Sequence, residues 1–266
     1  MSYKLDLHLH SYYSDGTLSP TDLVKWAKDK GLDIISLTDH DGIDGVKEAE
    51  IAGKALDISV VPGIEFSTAT KDGIELHLLG YHIDVDNQEL LDLCEELRTN
   101  RVARNERYME ILQRDYGISI DELLTRKGQT FIGKPTIARA LQRKGFISNI
   151  KEAFLEGGFF QRPDVKEIKK EKIDIERGIK AVKAAGGIPV LAHPGLIKGI
   201  GRRETKEFYA AVDKLLLDLK KMGLKGLECV YSKHSDEERI EFIGYAEKYH
   251  LHITEGSDYH GPEGEN

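Results

Sequence analysis

The chain has 266 residues, 38 basic and 46 acidic side chains, a formal charge of −8 and 40% hydrophobic residues. That is enough for one large α/β domain, while the acidic excess argues against a broad surface for extended duplex nucleic acid. The sequence has no apolar run of about 18 residues to span a membrane, no basic-then-apolar leader and only two cysteines, Cys94 and Cys229, so a soluble cytoplasmic protein without disulfides is expected.

Short β-rich apolar runs recur at residues 3–10, 33–40, 58–67, 74–83, 188–194, 224–231 and 252–260. Most are separated by helical spacing. Residues 21–30 place Leu23, Trp26 and Ala27 on one face, with Ser19-Pro20 as a start signal and Gly31 as a stop. Residues 213–222 do the same with Leu215, Leu216, Leu219 and Met222, ending at Gly223. Strand–helix alternation predicts a mostly parallel sheet with crossover helices, and seven strands suggest closure into a barrel. One link departs from the pattern. Residues 68–73, containing Lys71-Asp72-Gly73, are too few for a crossover and predict a hairpin, hence an irregular barrel.

Residues 86–166 read differently. Leu90, Leu91, Cys94 and Leu97 form one stripe, residues 98–107 are polar and basic, and Gly117, Gly128, Gly133 and Gly157-Gly158 are breaks. The expected organisation is a barrel of residues 1–85 and 167–266, interrupted by a helical insertion, 86–166, that supplies part of the substrate site. Residues 263–266 are a polar tail. The sequence stops six residues after His260, so a final barrel helix is expected to be absent.

The chemistry concentrates at strand exits. Asp6, His8 and His10 share one face of the first strand by its period of two, and two imidazoles at i and i+2 can share a metal ion. The following exits carry Asp39-His40-Asp41, Glu65, His77 and His82, His193, and Asp258-Tyr259-His260. Charged groups in apolar strands are costly unless paired or metal-bound, and carboxyl ends of parallel strands form a common rim. Imidazole with carboxylate and no thiolate cluster points to Zn, Mn or Fe(II). Roughly nine candidate ligands are too many for one ion, so two or three are expected.

His8-Leu9-His10, Ser14-Asp15-Gly16-Thr17, Thr38-Asp39-His40-Asp41, Gly63-Ile64-Glu65, His193-Pro194 and Ser257-Asp258-Tyr259-His260 occur in that order. In this the chain resembles the PHP (polymerase and histidinol phosphatase) family of metal-dependent phosphoesterases, over nearly its whole length. The nearest branch in pattern is the stand-alone enzymes acting on nucleotides and short RNA. The resemblance implies a distorted (β/α)7 barrel and a trinuclear centre. One ion would take His8, His10, Glu65 and Asp258; a second would share Glu65 and add His77 and His193; a third would take Asp15, His40 and His260. Some relatives have His where Asp15 stands.

The implied reaction is attack on a phosphate ester by a hydroxide bridging two ions, which screen the ester's charge and acidify the water, with no phosphoenzyme. Lys134 and Arg139, at a helix start with Pro135, are candidate phosphate contacts. Related sequences often have Arg-Pro-His there, so Lys134 and Thr136 are departures. His234, after the sixth strand, is a candidate general acid or phosphate ligand, its alternative being a helix cap. The basic loop Gly199-Ile200-Gly201-Arg202-Arg203 could close over an anion or lie as solvated surface. Expected substrates are nucleoside 5′-phosphates, 3′,5′-bisphosphates or the 5′ ends of short oligoribonucleotides. The alternatives are a histidinol-phosphate phosphatase, a non-catalytic metal-binding PHP domain, and hydrolysis of a carbon–nitrogen bond. Lack of a strand-end Lys to hold a carbamate opposes the last. The sequence leaves the oligomeric state open.

Overall fold

The structure, a computed structural model, describes residues 3–125 and 129–262; Gly128 and the 263–266 tail lie outside the described residues. The elements run β1 (Leu5–Leu9), α1 (Pro20–Asp29), β2 (Ile34–Leu37), α2 (Val46–Leu56), β3 (Ser59–Ala69), β4 (Glu75–Tyr81), α3 (Gln88–Tyr116), α4 (Ile120–Leu123), α5 (Lys134–Arg143) and α6 (Pro163–Lys166). They continue with β5 (Ile173–Asp174), α7 (Ile175–Ala184), β6 (Ile188–Leu191), α8 (Lys206–Met222), β7 (Gly226–Tyr231), α9 (Asp236–Tyr249) and β8 (His252–Gly256). Local chemistry explains the helix ends. The Ser19 hydroxyl accepts from the Asp22 N–H with Pro20 at the first turn of α1, and α8 ends on Gly223 at φ 111°.

The sheet order is β1-β2-β3-β4-β6-β7-β8, with the short β5 added beside β3. Neighbours are parallel except β4, which is antiparallel to both β3 and β6. The hairpin follows from its short link, as expected. β5, two residues long, has no periodicity to announce it. Closure is nearly complete: Leu9 bridges Tyr259 just beyond β8, and His10 N–H donates to the Tyr259 carbonyl at 2.9 Å. The chain is thus a distorted (β/α)7 barrel.

Two cores lie along α3, whose 29 residues span about 43 Å. Its first turns bury Leu90, Leu93, Cys94 and Leu97 in the barrel core with Ile64, Leu78 and Ile179. Its later turns bury Tyr108, Ile111 and Leu112 in a separate core with Ile137, Leu141, Phe159 and Phe160, closed by Ile168. The change of core therefore falls inside α3, between Leu97 and Tyr108, rather than at its start. Among the described residues no helix is long and apolar enough to cross a membrane.

Candidate metal centre

β1 alternates as its sequence requires. Asp6, His8 and His10 are buried toward the barrel interior, while Leu9 packs outward against Leu23 and Leu37. Glu65 of β3 is fully buried and five imidazoles surround it. Its Oε1 lies 3.3 Å from His8 Nε2, 3.0 Å from His77 Nδ1 and 3.2 Å from His193 Nε2. Its Oε2 lies 3.5 Å from His10 Nε2 and 2.8 Å from His40 Nδ1. Asp258 Oδ1 stands 3.1 Å from His10 Nε2 and 3.6 Å from His8 Nε2. Asp15 Oδ1 stands 3.0 Å from His260 Nε2, and its Oδ2 is 3.9 Å from His40 Nε2. All nine expected ligand residues thus converge on one rim.

The donor set fits divalent cations. His8 Nε2, His10 Nε2, His40 Nδ1, Asp15 Oδ1 and Glu65 Oε2 are buried yet make no hydrogen bond of acceptable geometry, an arrangement native interiors avoid unless something else satisfies the atoms. Three groups have ligand atoms within 4.8 Å of one another: His10, Asp15, His40 and His260; His8, His10 and Glu65; His40, Glu65 and His77. The ion-free electrostatics show the same crowding. Burial and the neighbouring His260 push His10 down to about 4. Burial also disfavours the charged form of His260, but Asp15 outweighs it and raises the imidazole to about 9. Burial opposes ionisation of Glu65, yet His77, His40 and His8 hold it well below the usual carboxylate range.

A layer of polar groups fixes this cluster. Asp39 is buried and accepts from the Ser11 N–H at 2.7 Å and the Ser11 hydroxyl at 2.6 Å, shaping the loop that leads to Asp15. Asp41, at φ 53°, accepts from the Ser67 N–H at 2.8 Å and pairs with Lys170 at 2.6 Å. Burial raises its carboxyl, but Lys170 and His40 outweigh this and hold it at about 2. Tyr231 donates to Asp258 Oδ2 at 2.9 Å. Glu228 of β7, fully buried, lies 2.9 Å from His8 Nδ1 and accepts from the His193 N–H at 2.7 Å. The sequence reading passed over Glu228, although a carboxylate inside the apolar strand Leu227-Glu228-Cys229 was a visible signal. His193 itself sits at φ 26°, ψ 64°, a conformation costing a non-glycine residue on the order of 1–3 kcal/mol.

The rim opens into a cleft of about 270 Å³ lined by His40, His77, His193, Asp258, His260 and Lys198, with Glu75 at its wall. Lys134, exposed at the first turn of α5, rests 5.3 Å from the Phe160 ring. Burial, then repulsion from a basic group that includes Arg104, Lys172 and Lys198, lowers its pKa. Arg139 takes a different place from the one expected. It is 8% exposed and one guanidinium N–H donates to the Asp15 carbonyl at 2.9 Å, which ties it to the loop carrying Asp15. His234 also departs from expectation. It is 4% exposed, its Nδ1 donates to the Cys229 carbonyl at 3.0 Å, and its Nε2 accepts from the Gly195 N–H at 3.2 Å. Both ring nitrogens are engaged by the main chain, which makes it a bracket between β7 and the His193 turn. The following Ser235 caps α9. In the loop after His193, Arg203 is tied to Glu238 rather than free to close.

A distorted barrel that gathers imidazoles and carboxylates at the carboxyl ends of its strands has the build of a metal-dependent hydrolase. The PHP domain family model matches residues 6–230: the chain belongs to the PHP family, and it is a metal-dependent phosphoesterase. It is 33% identical to a 5′-3′ exoribonuclease of Haemophilus influenzae, over 99% of this chain and 92% of the relative. It is 26% identical to a 3′,5′-nucleoside bisphosphate phosphatase of Chromobacterium violaceum, over 97% of this chain and 87% of the relative. Its fold superposes on a crystal structure from Bifidobacterium adolescentis, assigned as a metal-dependent phosphoesterase, with TM-score 0.84 and 29% identity, covering 100% of this chain and 91% of the other.

Proposed function

We propose that the chain hydrolyses phosphate monoesters of nucleotides, taking a nucleoside 3′,5′-bisphosphate or the 5′ end of a short oligoribonucleotide. The observation that carries this is the Glu65 carboxylate ringed by five imidazoles beside a cleft edged by Lys198. His8, His10, Glu65 and Asp258 would hold one divalent ion, Glu65, His77 and His193 a second, and Asp15, His40 and His260 a third. Such ions supply charge screening for the ester and an acidified water. The chain's own residues do the rest. Glu65 and Asp258 fix the spacing of the imidazoles. Lys198 and Lys134 draw the anionic substrate to the cleft as point charges. The second core, which begins in the later turns of α3 and carries α5, would form one wall of the substrate site. The named activities of the two relatives support the nucleotide class and leave both members of it open.

The test is a side-by-side assay on Mn(II)-loaded protein, reading both inorganic phosphate and released mononucleotide, with AMP, adenosine 3′,5′-bisphosphate, a 5′-phosphorylated RNA dinucleotide and histidinol phosphate. The reading expects the bisphosphate or the dinucleotide to be turned over fastest. Preference for histidinol phosphate would overturn the substrate class, and no turnover of any of the four would favour a non-catalytic metal-binding domain.

A further inference from the structure

Glu228 reaches two ligand residues on two different strands. Its Oε1 lies 2.9 Å from His8 Nδ1 on β1, past the intervening β8, and its Oε2 accepts at 2.7 Å from the main-chain N–H of His193, just beyond β6. The approach to His8 is allowed by Gly256 of β8. A Cβ there would come within 2.3 Å of the His8 Cβ and 2.7 Å of Glu228 Oε1. The far nitrogens of both rings face the same acceptor: His8 Nε2 and His193 Nε2 are 3.3 and 3.2 Å from Glu65 Oε1.

We propose that Glu228 is a positioning residue that sets two metal ligands at once. It holds His8 with its proton on Nδ1, leaving the Nε2 lone pair for an ion, and it clamps the main chain of His193 in the left-handed turn that aims its ring. The inference rests on the metal-centre reading above. A carboxylate is needed because two N–H donors approach two separate oxygens. Glutamine offers one acceptor oxygen and one NH2 group. With its NH2 toward His193, two donors meet. With its NH2 toward His8, the ring must accept at Nδ1 and carry its proton on Nε2, where the lone pair is lost to the metal. In the ligand assignment above, His8 and His193 serve different ions, so one substitution would weaken two of them together.

The test uses Zn(II) as probe, with the stripped full-length protein titrated and its bound metal counted by elemental analysis. Glu228→Gln is expected to keep its circular dichroism spectrum but to bind two of the ions 10–100-fold more weakly, while the group of Asp15, His40 and His260 keeps its ion. A second measurement needs no variant. In Zn-loaded wild type, long-range ¹H–¹⁵N spectra should show His8 protonated at Nδ1. A proton on Nε2, or Glu228→Gln loading with unchanged affinity, would overturn the role of Glu228 alone. A wild-type protein that takes up no Zn(II) would overturn the metal-centre reading, and this inference with it.

Discussion

Stripped of metal, the protein should show a pH dependence of stability set by its ligand cluster. His260 lies 3.0 Å from Asp15 and titrates near 9, because Asp15 outweighs the effect of burial, against an ordinary value near 6.5. A raised folded value stabilises fully below the unfolded pKa, and the gain is lost as pH rises through the folded one. The gap bounds the contribution at about 3 kcal/mol. Burial opposes ionisation of Asp15, but His260 outweighs it and depresses the carboxyl, so the pair counts once. His8 and His40, raised by nearby carboxylates against the effect of burial, act in the same direction. His10, pushed down to about 4 by burial and His260, acts oppositely, costing stability as pH falls from about 6.5 toward 4. The metal-free protein should therefore be most stable around pH 6.5–7 and lose about 3 kcal/mol by pH 9.5 from the His260–Asp15 pair alone. Urea unfolding at a series of pH values measures this. The single tryptophan, Trp26, reports locally because it stacks 4.0 Å from the ring of Tyr259, the neighbour of His260. Asp15→Asn should make the alkaline limb shallower, leaving the part due to His8 and His40. Zn(II) should reverse it, since ligands must shed protons to bind. A flat or rising profile between pH 7 and 9.5 in the metal-free wild type would refute the reasoning.

Two further outcomes follow from the placement of single residues. His234→Ala should lower thermal stability by about 1–3 kcal/mol, from the two main-chain groups it leaves unpaired, while the kcat–pH profile keeps its shape; loss of the alkaline limb would restore His234 as a proton donor. Leu112→Ala, in the second core, should cost about 2–5 kcal/mol locally. Hydrogen exchange should quicken in α5 while β1 to β4 keep their protection, and equal loosening of the barrel strands would show that the two cores unfold as one.

Much of this arrangement was legible in the sequence because barrel strands write it in a simple code. Period-two alternation in β1 placed His8 and His10 inward, and the short 68–73 link betrayed the hairpin. Polar residues that interrupt apolar strands marked the rim. Residues whose role depends on a distant partner were not legible. Arg139 looked like a phosphate contact at a helix start, but a long-range hydrogen bond to Asp15 turns it inward. His234 looked like a rim residue, but the carbonyl and amide of two different elements claim its nitrogens. Glu228 stands out in its apolar strand but carries no motif of its own, and its role comes from His8, 220 positions away. The boundary of the insertion was hidden for another reason. The helical stripe of α3 continues unbroken while its packing partner changes from one core to the other.

The most direct test of the central claim is phosphate release from adenosine 3′,5′-bisphosphate by protein stripped of metal and then reloaded with Mn(II), comparing wild type with Glu65→Gln. Five imidazoles converge on this carboxylate, so its charge holds the centre together. The account predicts that activity vanishes on stripping and returns on reloading. It also predicts that Glu65→Gln, folded by circular dichroism, retains less metal and falls at least about 100-fold in rate, at or beyond the cost typical of disturbing only an outer-shell partner of a ligand. Wild-type release that is indifferent to metal, or a Glu65→Gln protein as active as wild type, would contradict it.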